Sequence, residues 1–225
     1  MQLVDEGSLA LTLDAVNEML FLGRRISRSA RVGAATWIAK RQGLPGSYAD
    51  MFAPTEQDFA DARLFTGEAI ASRVSTRHIL GEEGIRALEL LDVRTPEVGA
   101  ALARAKAGME ACVTDTVSRP SGMYCCGTCS CAYWRNLAAG GLSRAEARLA
   151  RGMKDMKARR LGTGRWRNFP FFYAVLALTE IELPGALAEL RYAAPALERY
   201  LRRGATSSTA SQRRHAVAER ALACC

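Results

Sequence analysis

The sequence predicts an all-α protein of helical hairpins, with amphipathic outer helices around apolar inner ones. Three observations carry this. Apolar residues recur with helical rather than alternating spacing along nearly the whole chain. Amphipathic segments alternate with segments that are apolar all round, the pattern of an outer layer wrapping an inner one. A short turn containing glycine and an aromatic residue recurs between the two kinds of segment.

The elements follow in order. Residues 9–24 and 29–42 read as the first pair of helices. Residues 49–74, "ADMFAPTEQDFADARLFTGEAIASRV", interrupt the pattern. With Met51, Phe52, Phe59, Leu64 and Phe65 this stretch is too apolar for free linker, so it is either a lid over a cavity or another short helix packed outside. An apolar helix follows near 75–91. Thr95 then caps a helix with Pro96 at its first position, and Val98, Leu102, Ala105 and Met109 share one face. A second apolar helix lies near 128–139. "LSRAEARLARGMKDMKARR" starts with Ser143 and Glu146 spaced as a capping box. A third apolar helix spans 170–181. The next amphipathic helix carries Leu187, Leu190, Ala194, Leu197 and Leu201, with a kink expected at Pro195. One domain is expected over 1–203, followed by a basic, disordered tail at 204–225 that ends in a short helix.

Composition narrows the function classes. The chain has 225 residues, 49% of them apolar, and a mean hydropathy of −0.06, as in a soluble globular protein. No apolar run approaches the roughly 20 residues of a membrane span. The acidic start "MQLVDEGS" has no secretory pattern, so a cytoplasmic protein with reduced thiols is expected. Seven clustered cysteines then point to packing, metal or thiol chemistry rather than a disulfide framework. The net charge of +8 lies largely in residues 199–225, and arginine far outnumbers lysine throughout, which disfavours nucleic acid as a partner.

The recurring turns are "RQGLPGSY" at 41–48, "SRPSGMY" at 118–124 and "RRLGTGRW" at 159–166. Gln42, Gly46 and Tyr48 fit the QxxxGxW turn with tyrosine for tryptophan. Arg160, Gly164 and Trp166 fit it with arginine for glutamine, and Gly122 and Tyr124 fit its second half. In these residues the chain resembles the prenyltransferase and squalene-cyclase repeat family over roughly residues 30–200. The resemblance implies an α/α-toroid, here an incomplete ring, around an apolar cavity that takes an isoprenoid- or lipid-like small molecule. The family's DxDD acids are absent, as is DDxxD, so the resemblance implies a binder rather than a cyclase. An incomplete ring leaves an apolar edge for a homodimer or another protein partner.

The remaining signal is "SGMYCCGTCSCAYW", residues 121–134. "CGTCSC" has the spacing of the C-x-x-C-S-C claw of nitrile hydratase α-subunits, a resemblance that implies iron or cobalt. On a helix, Cys125, Cys126 and Cys129 share a face while Cys131 points away. Aligning the inner helices puts His78 opposite Gly127 and Asn168. His78 with Cys125, Cys126 and Cys129 is then a candidate zinc site, with Glu82 one turn on. Cys126 at a helix start, with His78 as base, is equally a candidate catalytic nucleophile. Packing is the competing account, because buried cysteine behaves as a small hydrophobe. Tyr133, Trp134, Arg167, Asn168 and Phe172 are the candidate pocket residues, with Arg77, Arg135 and Arg167 able to meet an anionic headgroup. Three function classes stay open: an apolar-ligand binder, a metal- or thiol-dependent enzyme, and a protein-interaction scaffold.

Overall fold

The computed structural model describes residues 3–114 and 122–225. The chain is all-α, with ten helices and no β-strand among the described residues. None of these helices is long and apolar enough to cross a membrane. Where one domain was expected, the chain divides into two compact units. The first comprises Met1–Arg63, Ala69–Pro120 and Ala139–Ser143. The second comprises Leu64–Glu68, Ser121–Ala138 and Arg144–Cys225.

The first unit contains α1 (Leu9–Phe21), α2 (Arg28–Ala39), a short α3 (Glu56–Asp61), α4 (Arg73–Leu91) and α5 (Pro96–Thr114). Its centre is α4, which packs against the other four and buries residues on every side from His78 to Leu88. Gly81 and Gly84 make that packing close, since a Cβ at either would collide with Met51 or Phe52. Arg31 of α2 donates to the Leu91 carbonyl and so satisfies the end of α4. Thr95 accepts the Val98 N–H at 3.4 Å ahead of Pro96, as the sequence predicts for α5. Val98, Ala105 and Met109 are buried there, joined by Ala101, while Leu102 is half-buried.

Residues 49–63 hold α3, which one carboxylate ties into the first unit. Asp58 closes a capping box with Thr55 and also reaches the start of α1. There it accepts the Ser8 hydroxyl at 2.5 Å and the Leu9 and Ala10 N–H groups at 3.1 and 3.0 Å. An acid at a helix N-terminus is favoured by the exposed N–H groups and the helix dipole.

The second unit contains α6 (Gly127–Ala138), α7 (Ala145–Lys157), α8 (Phe171–Thr179), α9 (Pro184–Leu201) and α10 (Thr209–Ala223). Every residue of α8 from Phe171 to Leu178 is buried, against α6, α9 and α10. Three expectations are corrected here. Residues 209–223, expected as a disordered tail ending in a short helix, form one continuous helix, α10, because Val217, Ala218 and Ala221 find an apolar surface on α8 and α9. Ser143 does not cap α7: its hydroxyl donates to Glu110 at 2.7 Å, and Arg144, in a left-handed conformation, takes the cap position. The buried face of α9 is Ala186, Glu189, Leu190, Ala193, Ala196 and Leu197, rotated from the expected stripe because Glu189 is drawn inward by Arg160 and Trp166.

The glycine turns each dock on a helix. Arg160 is bridged to Trp166, Gly164 (φ 80°) lies against Ala196 of α9, and the Thr163 carbonyl accepts from Arg199 at 3.3 Å. In the first turn Arg104 of α5 donates to Gln42 at 2.6 Å, but the residue bridged to Gln42 is Phe52, not Tyr48. Four extra residues carry the buried aromatic past the expected position. Gly122 backs onto Gly152 of α7 and donates to Asp155 at 2.9 Å; residues 118–121 of that turn lie outside the described residues. A further copy sits inside the apparent insertion. "RLFTGEA" (63–69) matches "RLGTGRW" (160–166), with Arg63 bridged to Ala69. Gly67 (φ 86°) lies against Ala210 of α10, and the Thr66 carbonyl accepts from Arg214 at 2.7 Å.

Candidate thiol and metal site

The cysteine cluster is built by the way α6 starts. Gly122 is pinned from both sides, its N–H by Asp155 and its carbonyl by the Trp134 indole N–H at 2.8 Å. Two residues on, the Tyr124 N–H donates to the Ser130 hydroxyl at 2.8 Å. That hydroxyl in turn donates to the Cys126 carbonyl at 2.6 Å, alongside the Ser130 N–H at 2.9 Å. Cys126 therefore occupies the cap position, where an Asp or Ser oxygen is usual. Its Sγ accepts the Cys129 N–H at 3.4 Å. Gly127 must be glycine, because the Asn168 carbonyl lies where a Cβ would go.

Three sulfurs share this helix start. Hydrogen bonds from the Cys125 and Cys129 thiols, with backbone N–H groups of Cys129 and Thr128 adding to them, lower the Cys126 pKa to about 2. Cys125 is pushed up to about 11, chiefly because its thiol donates to Cys126. Cys129 is also raised, by sharing its thiol with Cys125 and Cys126 and by burial. These hydrogen bonds favour the negative charge on Cys126 over Cys125 and Cys129. Cys125 and Cys126 are exposed, whereas Cys129 is buried. Cys131 is wholly buried, and burial raises its pKa well above the thiol range, so it behaves as core.

The other expected site residues fall in different surroundings. His78 belongs to the first unit, on α4, where it is 6% exposed with its ring centroid 3.9 Å from that of Tyr48. The Tyr48 hydroxyl is 2.8 Å from the Cys112 sulfur, a pairing with no sequence signal. Glu82, one turn along, is also buried. Trp134 stacks on Phe169 at 5.7 Å and fills the space against Gly152. Tyr133 is buried beside Tyr124, and Phe172 lies against Tyr200 at 4.5 Å. Arg167 and Asn168 are exposed on the turn before α8. Of the three expected headgroup arginines, Arg135 is buried in a bidentate pair with Glu180 at 2.9 and 3.1 Å. Arg77 lies over Phe59 at 5.5 Å.

Ser130 is the residue that sequence reasoning missed. Only its place four residues after Cys126, where a helical hydroxyl reaches back to a carbonyl, hints at its part. Comparison of the chain with protein-family models, curated proteins and solved structures gave no match.

Proposed function

We propose that the chain is a helical-hairpin scaffold of the α/α-toroid kind whose chemistry is that of a thiolate metal centre. Cys125, Cys126 and Cys129 hold the ion, and zinc is the ion they suit. The observation that carries this reading is the gathering of Cys125, Cys126 and Cys129 at one fixed helix start, with the Cys129 N–H on the Cys126 sulfur favouring its charged form. Thiolate sulfur is the preferred donor for zinc, at about 2.3 Å, and three protein ligands leave a fourth position for water or a further donor. Iron or cobalt in a claw would need the Ser130 amide, which is spent on the Cys126 carbonyl. The docked glycine turns and similar helix pairings within each unit support the scaffold. Reduced thiols of this kind fit a cytoplasmic protein.

Metal analysis of the untagged protein tests the centre. One equivalent of zinc is expected, lost in Cys126→Ala and Cys129→Ala. Metal-free protein after purification and zinc titration would sink it. Binding displaces thiol protons, so affinity rises with pH and protons are released on binding. Calorimetry in buffers of different ionisation enthalpy measures that release. The apolar-ligand reading rests on the turn resemblance, and mass spectrometry of organic extracts from the purified protein tests it.

A further inference from the structure

We propose that Cys126 and Cys129 are a dithiol–disulfide exchange pair, Cys126 exchanging with external thiols and disulfides and Cys129 resolving. This activity belongs to the metal-free cluster and does not depend on the zinc reading.

The geometry divides the two roles. Cys126 is exposed and sits at the cap position, where its sulfur accepts the Cys129 N–H. Exchange begins with an accessible thiolate, and backbone N–H groups at a helix start favour that charge. Cys129 is 1% exposed, so external disulfides do not reach it, yet its own N–H holds the Cys126 sulfur at 3.4 Å. An inner thiol one helical turn from the outer sulfur and shut off from solvent is what resolution needs.

The chemistry balances without a further redox partner. The Cys126 thiolate attacks one sulfur of an external disulfide; that S–S bond breaks and a thiolate leaves, taking the Cys129 proton. The Cys129 thiolate then attacks the Cys126 sulfur, the mixed disulfide breaks, and the second external thiolate departs. Two electrons have passed from the pair to the external disulfide. The Cys129 N–H on the Cys126 sulfur at the helix start stabilises a thiolate there and makes Cys126 a good leaving group. The oxidised pair therefore hands its disulfide readily to substrate dithiols.

The test uses the full chain after chelation, with Cys112, Cys224 and Cys225 replaced by serine so that accessible thiols outside the cluster do not contribute. It is equilibrated with glutathione and glutathione disulfide, then acid-quenched. Peptide mapping is expected to find a reversible Cys126–Cys129 disulfide. Cys129→Ser should accumulate the glutathione adduct on Cys126, and Cys126→Ser should lower the rate of modification at least about tenfold. Circular dichroism checks that each variant is folded. A disulfide mapped to Cys125–Cys126, a Cys129→Ser variant with no adduct, or unchanged reactivity in Cys126→Ser would overturn the proposal. Because chelated protein is used, a failure here leaves zinc binding standing, and a failure to bind zinc leaves exchange standing.

Discussion

Hydrogen bonds from two neighbouring thiols separate Cys126 from an ordinary surface cysteine. Cys125→Ala removes the larger of them, so the Cys126 pKa should rise. The measurement is alkylation rate against pH. The parent is expected to be flat from about pH 5 to 8, and the variant to regain a rising profile as the thiol deprotonates across that range. Stability follows the same sign. The folded-state value lies below the ordinary thiol value of 9.0, so the contribution is complete above that value and fades as pH falls toward about 2. The parent's advantage over Cys126→Ala in urea unfolding should therefore grow between pH 4 and pH 8. Asp58 offers a second test. Asp58→Ala strands two N–H groups and the Ser8 hydroxyl at the start of α1, and should cost about 2 kcal/mol, read as a lower Tm. At this scale the candidates were legible in the sequence and their states were not. The cysteine spacing names Cys125, Cys126 and Cys129, but which one carries the charge depends on where the helix starts. That start is fixed by Ser130 and by the Asn168 backbone, which no local pattern brings to Gly127.

The beginning of α6 is an element whose glycine is there for contact and not for flexibility. Propensity alone says Gly127→Ala should gain about 1 kcal/mol, since alanine is the better helix former. The Asn168 carbonyl reverses that sign: the variant should lose stability and shift the thiols, which lowers zinc affinity in the same sample. Gly67→Ala makes the corresponding test on α10. It places a Cβ 2.5 Å from that of Ala210 at a backbone φ of 86° and should cost about 2 kcal/mol, of which Ala210→Gly recovers only the steric part. Element identity was largely readable. The inner helices α4, α6 and α8 show themselves as runs apolar on all sides, and Thr95–Pro96 marks the start of α5. The turn at 63–69 escaped because Ala69 stands where an aromatic was sought. Conversely, Tyr48 drew the first turn's register four residues short of Phe52.

In the first unit α1 packs on α2 and α4, while α2 and α4 pack on α5 and on each other; in the second, α6 packs on α7 and α8, and α9 on α7, α8 and α10. The division into two units was hidden because apolar patterning reports burial and not which core does the burying. The basic C-terminal segment also changes meaning. Arg213 lies over Phe65 at 4.3 Å and donates to its carbonyl, and Arg214 serves the Thr66 carbonyl. Charge that looked available for solvent or nucleic acid is partly structural. Ending the chain at Gly204 should lower the urea midpoint of the second unit, with Phe65 newly exposed to quenching by bound dye.

The bond from Arg214 to Thr66 spans 148 residues. During synthesis, the turn at 64–68 leaves the ribosome long before the helix that receives it exists. At roughly 5–20 residues per second, that interval lasts on the order of 10 s. Through it Phe65 waits uncovered, and the second unit is completed only when the newest residues emerge. A translation pause placed ahead of α10 should therefore lengthen the lifetime of a chaperone-bound intermediate, while the same pause placed ahead of residue 63 should leave it unchanged.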